Sequence, residues 1–145
     1  IVFWDRSTLY GLRGIFAAGE TEKALHYFTA YTRRRLLGNH VPYAVEAYPE
    51  GNQRQLAAES SLYCRIVIEG LFGITPTGFD SFICAPHLPN EWDSMELRSI
   101  KAFGRDFDLA VNRVESGLKI MVTVPEKQVQ EYYCAQGESV DIKLL

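Results

Sequence analysis

The chain reads as an α+β protein in which helices come first and strands second. Three observations carry this. Up to about Phe72, apolar residues recur at helical spacing. After Gly73 the recurrence shortens to every second residue, in short runs separated by Gly, Pro and Asn. The two patterns do not interleave, which predicts a helical segment over 1–75 and an antiparallel β-domain over 76–145 rather than an alternating parallel sheet.

The first helix is expected to start at Ser7 or Thr8, either of which can cap it, and to bury Leu9, Leu12 and Phe16. Gly19 closes it. The second opens near Glu20 with Ala24, Leu25, Phe28, Tyr31 and Leu36 as its apolar stripe, and Gly38-Asn39 form its stop. Arg33-Arg34-Arg35 near its end complement the helix dipole. A third helix is expected over 56–71. Its apolar residues run around most of the circumference, the pattern of a helix enclosed by others. Neighbouring helices are therefore expected from outside this chain, or else a homo-oligomer formed through the helical face.

Beyond Gly73, strands are expected over 79–86, 94–103, 105–114, 117–124 and 139–145. Alternation is clearest in Phe107, Leu109 and Val111 and in Leu118, Ile120, Val122 and Val124. Glu115-Ser116-Gly117 suits a hairpin turn, with Gly supplying a positive φ. Short strands joined by tight turns predict a small antiparallel β-sandwich.

With 145 residues the chain suits a single domain or a piece of a larger one. A net charge of −3 with scattered Lys and Arg lacks the basic footprint of a nucleic-acid binder. No apolar run reaches the length needed to span a membrane. Cys64, Cys84 and Cys134 are widely spaced without a C-x-x-C pair, so free thiols are expected and no metal or other cofactor is implied. His26, His40 and His87 have no partner at metal-ligand spacing. The opening Ile-Val-Phe-Trp begins mid-pattern, as expected of a piece of a longer polypeptide. Any targeting signal then lies upstream, and the sequence assigns no compartment.

The junction between the halves reads "IEGLFGITPTGFDSFICAPHLPNEWDSMELRSIKAFGRDFDLAVNR". A helix ending in Gly73-Ile74-x-Pro76 leads to a short strand at Phe79, then Pro86-x-Leu88-Pro89-x-x-Trp92 and a β-meander. This resembles the exit from the last barrel helix of six-hairpin, (α/α)6-barrel glycosidases, the superfamily of glucoamylases, α-L-rhamnosidases and maltose phosphorylases. The resemblance covers roughly residues 7 to 124 and implies late barrel helices followed by a small antiparallel β-sandwich. The junction also has its own physical logic. Gly73 can end a helix, Pro76 prevents its continuation, and Trp92 is expected as a packing residue over the seam.

The resemblance implies an inverting glycoside hydrolase with a carbohydrate substrate. Such enzymes use two carboxyl groups roughly 6.5–9.5 Å apart, one acid and one base. The base in similar proteins sits in a loop before the last inner helix, often as Glu-x-aromatic, and Glu46-Ala47-Tyr48 matches that form. Glu50, between Pro49 and Gly51, is the second catalytic candidate, since a tight turn can project it inward. His40, Tyr43, Tyr48 and Arg54 supply the flat faces and directional donors that suit a sugar and are the candidate substrate-binding residues. Glu59 falls within the third helix, where either an ion pair with Arg65 or a local cap is expected. The acid partner is expected from an earlier hairpin, so the 145-residue chain alone is expected to be inactive. A phosphorylase is disfavoured because the His-Ser-Gly type of loop is absent.

A non-catalytic carbohydrate-binding or assembly module is the alternative. It needs several aromatics on one exposed sheet face. Phe103, Phe107 and Trp92 fit a core pattern instead, and Tyr132-Tyr133 is the one plausible exposed pair.

Overall fold

The computed structural model describes residues 3–36, 47–48 and 57–144. Among these the order is three helices and then two antiparallel sheets, with a short two-stranded ribbon among the helices. The chain divides into two compact units, Ile1–Leu71 and Phe72–Leu145, a few residues ahead of the expected boundary. Ile74 and Thr75 pair in a sheet of the second unit instead of extending the helical segment.

In the first unit, β1 (Phe3–Trp4) leads directly into α1 (Asp5–Ala17), which buries Leu9, Leu12 and Phe16. The helix begins earlier than its Ser/Thr pair suggests. Trp4 is the N-cap and makes no side-chain cap bond, and Ser7 and Thr8 lie inside the first turns. Its C-terminus behaves as expected. Gly19 adopts φ +78°, its N–H donates to the Phe16 carbonyl, and the Glu20 N–H donates to the Ile15 carbonyl. That paired arrangement satisfies carbonyls the helix would otherwise leave open.

Helix α2 (Thr21–Arg35) buries Ala24, Phe28 and Tyr31, and Leu36 just beyond its end. β2 (Ala47–Tyr48) pairs antiparallel with β1, Phe3 opposite Tyr48 and Trp4 opposite Ala47. Helix α3 (Ala57–Arg65) continues as a π-helical stretch over Ile66–Leu71. Burial along this helix is one-sided. Glu59, Leu62, Ile66 and Gly70 are buried at steps of three or four, whereas Ala57, Ala58, Cys64 and Ile68 are exposed. Within the described residues the helix is thus covered on one side only. Gly70 permits the closest approach. A Cβ there would fall 2.9 Å from the Phe16 ring, so only glycine lets the π-helical stretch lie against α1.

In the second unit, β3 (Ile74–Pro76), β4 (Ser81–Cys84) and β9 (Val140–Lys143) form one sheet in the order β3-β4-β9. The strands β5 (Ser94–Ala102), β6 (Arg105–Val114), β7 (Gly117–Thr123) and β8 (Gln130–Cys134) form the other, in that order. Alternation fills the space between the sheets. Phe107, Leu109 and Val111 of β6 and Leu118, Ile120 and Val122 of β7 are buried, opposite Phe82 and Ile142 of the smaller sheet. Phe82 stacks on Phe103 at 5.4 Å and on Phe107 at 5.9 Å, which joins the two layers. This is the predicted small sandwich. Its register shifts once, between Leu97 and Ile100 on β5, where Ser99 takes φ +55° and donates its N–H to Asp108 at 2.7 Å.

Within the second unit the junction turns at Trp92. Its side chain is 38% exposed, and its backbone holds the turn. The Trp92 N–H donates to the Pro89 carbonyl, and its own carbonyl accepts from Arg113. Pro86, Leu88 and Pro89 are the buried members of the motif. Gly73 has the stronger role. At φ +62° its missing Cβ makes room for the Ala85 carbonyl, which would otherwise sit 2.0 Å away.

Candidate functional site

Helices α1 and α3 meet at their N-terminal turns, and α2 reaches the same place with its C-terminal half. Arg6, the second residue of α1, donates from Nε and Nη2 to Glu59 Oε1 at 2.7 and 2.6 Å. Glu59 stands in the first turn of α3 and is fully buried. Its other oxygen, Oε2, is buried without a hydrogen-bond partner. Asp5, one residue before Arg6, is also buried and accepts the Tyr31 hydroxyl of α2 at 2.9 Å.

Tyr63 ties α3 to α2 beside these acids. Thr32 commits its single hydroxyl proton to the Phe28 carbonyl at 2.8 Å. The Tyr63 hydroxyl, 2.9 Å from Thr32 Oγ1, must therefore be the donor between them. The Tyr63 ring stacks on Phe28 with centroids 4.9 Å apart. Farther along the helices, Glu69 receives both Arg13 of α1 and Arg65 of α3. The carboxylate of Glu69 holds Arg65 above the usual guanidinium range, through its hydrogen bond first and its charge second.

The buried carboxylates are costly to desolvate, and each has a strong donor in place. Their common location is the end of the helical unit where the β1–β2 ribbon also lies, since β1 runs straight into Asp5 and Arg6. The bare Oε2 of Glu59 is the exception to full satisfaction, and buried carboxylate oxygens seldom lack a donor.

The residues singled out from sequence fall differently. Glu46, Glu50, His40, Tyr43 and Arg54 lie outside the described residues, as does the side chain of Tyr48. The backbone of Tyr48 is placed in β2, opposite Phe3. Glu59 pairs with Arg6 rather than with Arg65, which turns instead to Glu69. A buried carboxylate gains more from a cation across the helix interface than from one on its own surface ridge. Asp5, Arg6 and Tyr31 were not foreseen as a polar cluster. Their contacts span 26 and 53 residues, and no local motif announces such pairs.

In the sandwich, Tyr132 and Tyr133 do not share a face. Tyr133 is 62% exposed beside Lys119, whereas Tyr132 is half-buried and its hydroxyl accepts from Gln130. Successive strand residues point to opposite sides, so the pair forms no common platform. All three cysteines are free. Burial pushes the Cys84 thiol up to about 12, with the neighbouring Cys134 adding to the shift, and its Sγ lies 3.3 Å from the Phe72 carbonyl. No described helix is long and apolar enough to cross a membrane.

Comparison with known proteins finds no matching family model, no matching curated protein and no matching solved structure.

Proposed function

We propose that the chain supplies late helices of an (α/α)6 barrel and the following β-sandwich to a carbohydrate-active enzyme, an inverting glycoside hydrolase. Glu46 is the favoured base and Glu50 the second candidate. The observation that carries this reading is the β1–β2 ribbon. Ala47 and Tyr48 pair with Trp4 and Phe3, the strand that leads into α1 and its Asp5 and Arg6, and this pairing supports the reading. Residues at the ends of a rigid helical scaffold are where binding and catalysis concentrate. The order of helices before an antiparallel sandwich supports the same reading.

The test is turnover of aryl glycosides by a polypeptide in which this chain completes the barrel. Glu46→Gln should lower kcat by about 10²–10⁴, the usual contribution of a general base, and proton NMR should find the anomeric configuration of the first product inverted. Unchanged turnover in that variant would remove Glu46 from the mechanism. The 145-residue chain alone should leave aryl glycosides intact.

A second reading, a non-catalytic carbohydrate-binding or assembly module, is favoured by Phe79. That residue is 99% exposed at the tip of the β3–β4 turn, a position where an aromatic ring does nothing for the fold.

A further inference from the structure

Three features of the α1–α3 end point to a ligand. Glu59 is held through one oxygen only, and its buried Oε2 is an acceptor with no donor. Arg6, which grips the other oxygen of the same carboxylate, is 54% exposed, so one partner of the buried acid reaches solvent. Trp4, two residues before Arg6 and at the N-cap of α1, leaves 56% of its surface exposed.

The charges narrow the ligand class. An anion would meet the Glu59 carboxylate, and a cation would meet the Arg6 guanidinium. A hydroxyl meets neither penalty, because it donates to a carboxylate oxygen and accepts from a guanidinium N–H at once. Two of the five guanidinium N–H groups reach Glu59, which leaves others for such an acceptor. An exposed indole adds a flat apolar face of the kind that covers one side of a pyranose ring.

We propose that Trp4, Arg6 and Glu59 form a binding subsite for a neutral pyranoside, in which a sugar hydroxyl donates to Glu59 Oε2 and accepts from Arg6 while the ring lies on Trp4. This subsite rests on the carbohydrate reading above and adds residues that reading did not include. Glu59 Oε2 gains the donor it lacks, and the guanidinium that grips Oε1 offers its remaining N–H groups to the hydroxyl.

The experiment is a titration of the 145-residue chain with methyl α-D-glucopyranoside and methyl α-L-rhamnopyranoside, followed by ¹³C NMR of labelled glutamate carboxyls and by indole fluorescence. At least one glycoside should shift the Glu59 carboxyl and quench Trp4. Trp4→Ala and Glu59→Gln should each weaken binding by about tenfold or more, equivalent to about 1.4 kcal/mol. Trp4→Ala changes an exposed side chain, so it stays informative if Glu59→Gln unfolds the helical unit. Binding that both variants retain would overturn the subsite and leave the carbohydrate reading intact. Failure of the chain to bind either glycoside would also overturn it, and Glu46→Gln turnover would then judge the hydrolase reading separately.

Discussion

Arg6 places two nitrogens on one oxygen of Glu59 and none on the other. This is not the side-by-side fork that an arginine and a carboxylate usually adopt. The result is a carboxylate fixed in position by a half-exposed cation, at the junction of two helix N-termini.

Removing the cation should therefore expose the cost of the acid. Arg6→Ala leaves Glu59 buried and uncompensated and should destabilise the chain by about 3 kcal/mol, the lower range for breaking a buried pair. Glu59→Gln in the same background should restore part of that loss, so the double variant is more stable than the sum of the two singles predicts. Urea unfolding of the four proteins measures the coupling. Strict additivity would mean that the pair contributes nothing.

Glycines with positive φ should separate into two groups. At Gly73 an added Cβ meets the Ala85 carbonyl at 2.0 Å, a backbone atom that cannot move aside cheaply, whereas at Gly137 nothing lies within 4 Å. Gly73→Ala should cost about 3 kcal/mol or more, and Gly137→Ala about 1 kcal/mol from its dihedral alone. Thermal unfolding of the two variants checks the order.

The thiols should react in the order of their surroundings. Cys64 is exposed on α3. The Cys84 thiol is buried, and its pKa is raised to about 12. A disulfide reagent added to the folded chain should modify Cys64 first, with Cys84 slower by about a hundredfold or more. Peptide mapping after a short pulse identifies the modified residue. Urea should abolish the difference.

His87 sets an acid limit on the second unit. Burial lowers its pKa from the ordinary 6.5, so the unfolded chain takes up a proton before the folded one does. Stability from this residue is complete above the ordinary value and declines as the pH falls from there toward the folded value. His87→Gln should flatten the pH dependence of the unfolding midpoint in that window. An unchanged slope would assign the acid sensitivity to other groups.

Much of the sandwich was legible because burial on one face writes itself into alternate residues. Phe107, Leu109 and Val111 and their partners Leu118, Ile120 and Val122 gave β6 and β7 to within a residue. Strand β8 was not foreseen. Its Gln130, Glu131, Tyr132, Tyr133 and Cys134 carry no plain apolar alternation, and an edge position does not demand one. Gly117 was expected for the turn. It is also required by β8, since a Cβ there would stand 2.5 Å from the Cys134 carbonyl.

The helical cluster was illegible for a different reason. Nothing near Glu59 in sequence distinguishes a carboxylate that will be buried by Arg6, 53 positions away, from one that will face water. The two-residue strands β1 and β2 are too short to carry a period. Their pairing depends on where the helices bring the chain, which periodicity does not record.

The irregularity on β5 has one more consequence. This strand borders its sheet, so one row of its amide and carbonyl groups has no neighbouring strand within the sheet. A straight margin of that kind invites a second molecule to add its own strand and begin templated aggregation. The shift between Leu97 and Ile100 breaks the row, and Arg98 and Lys101, each 76% exposed, place charge along it. A kink that interrupts the meander from within thus guards the protein against copies of itself.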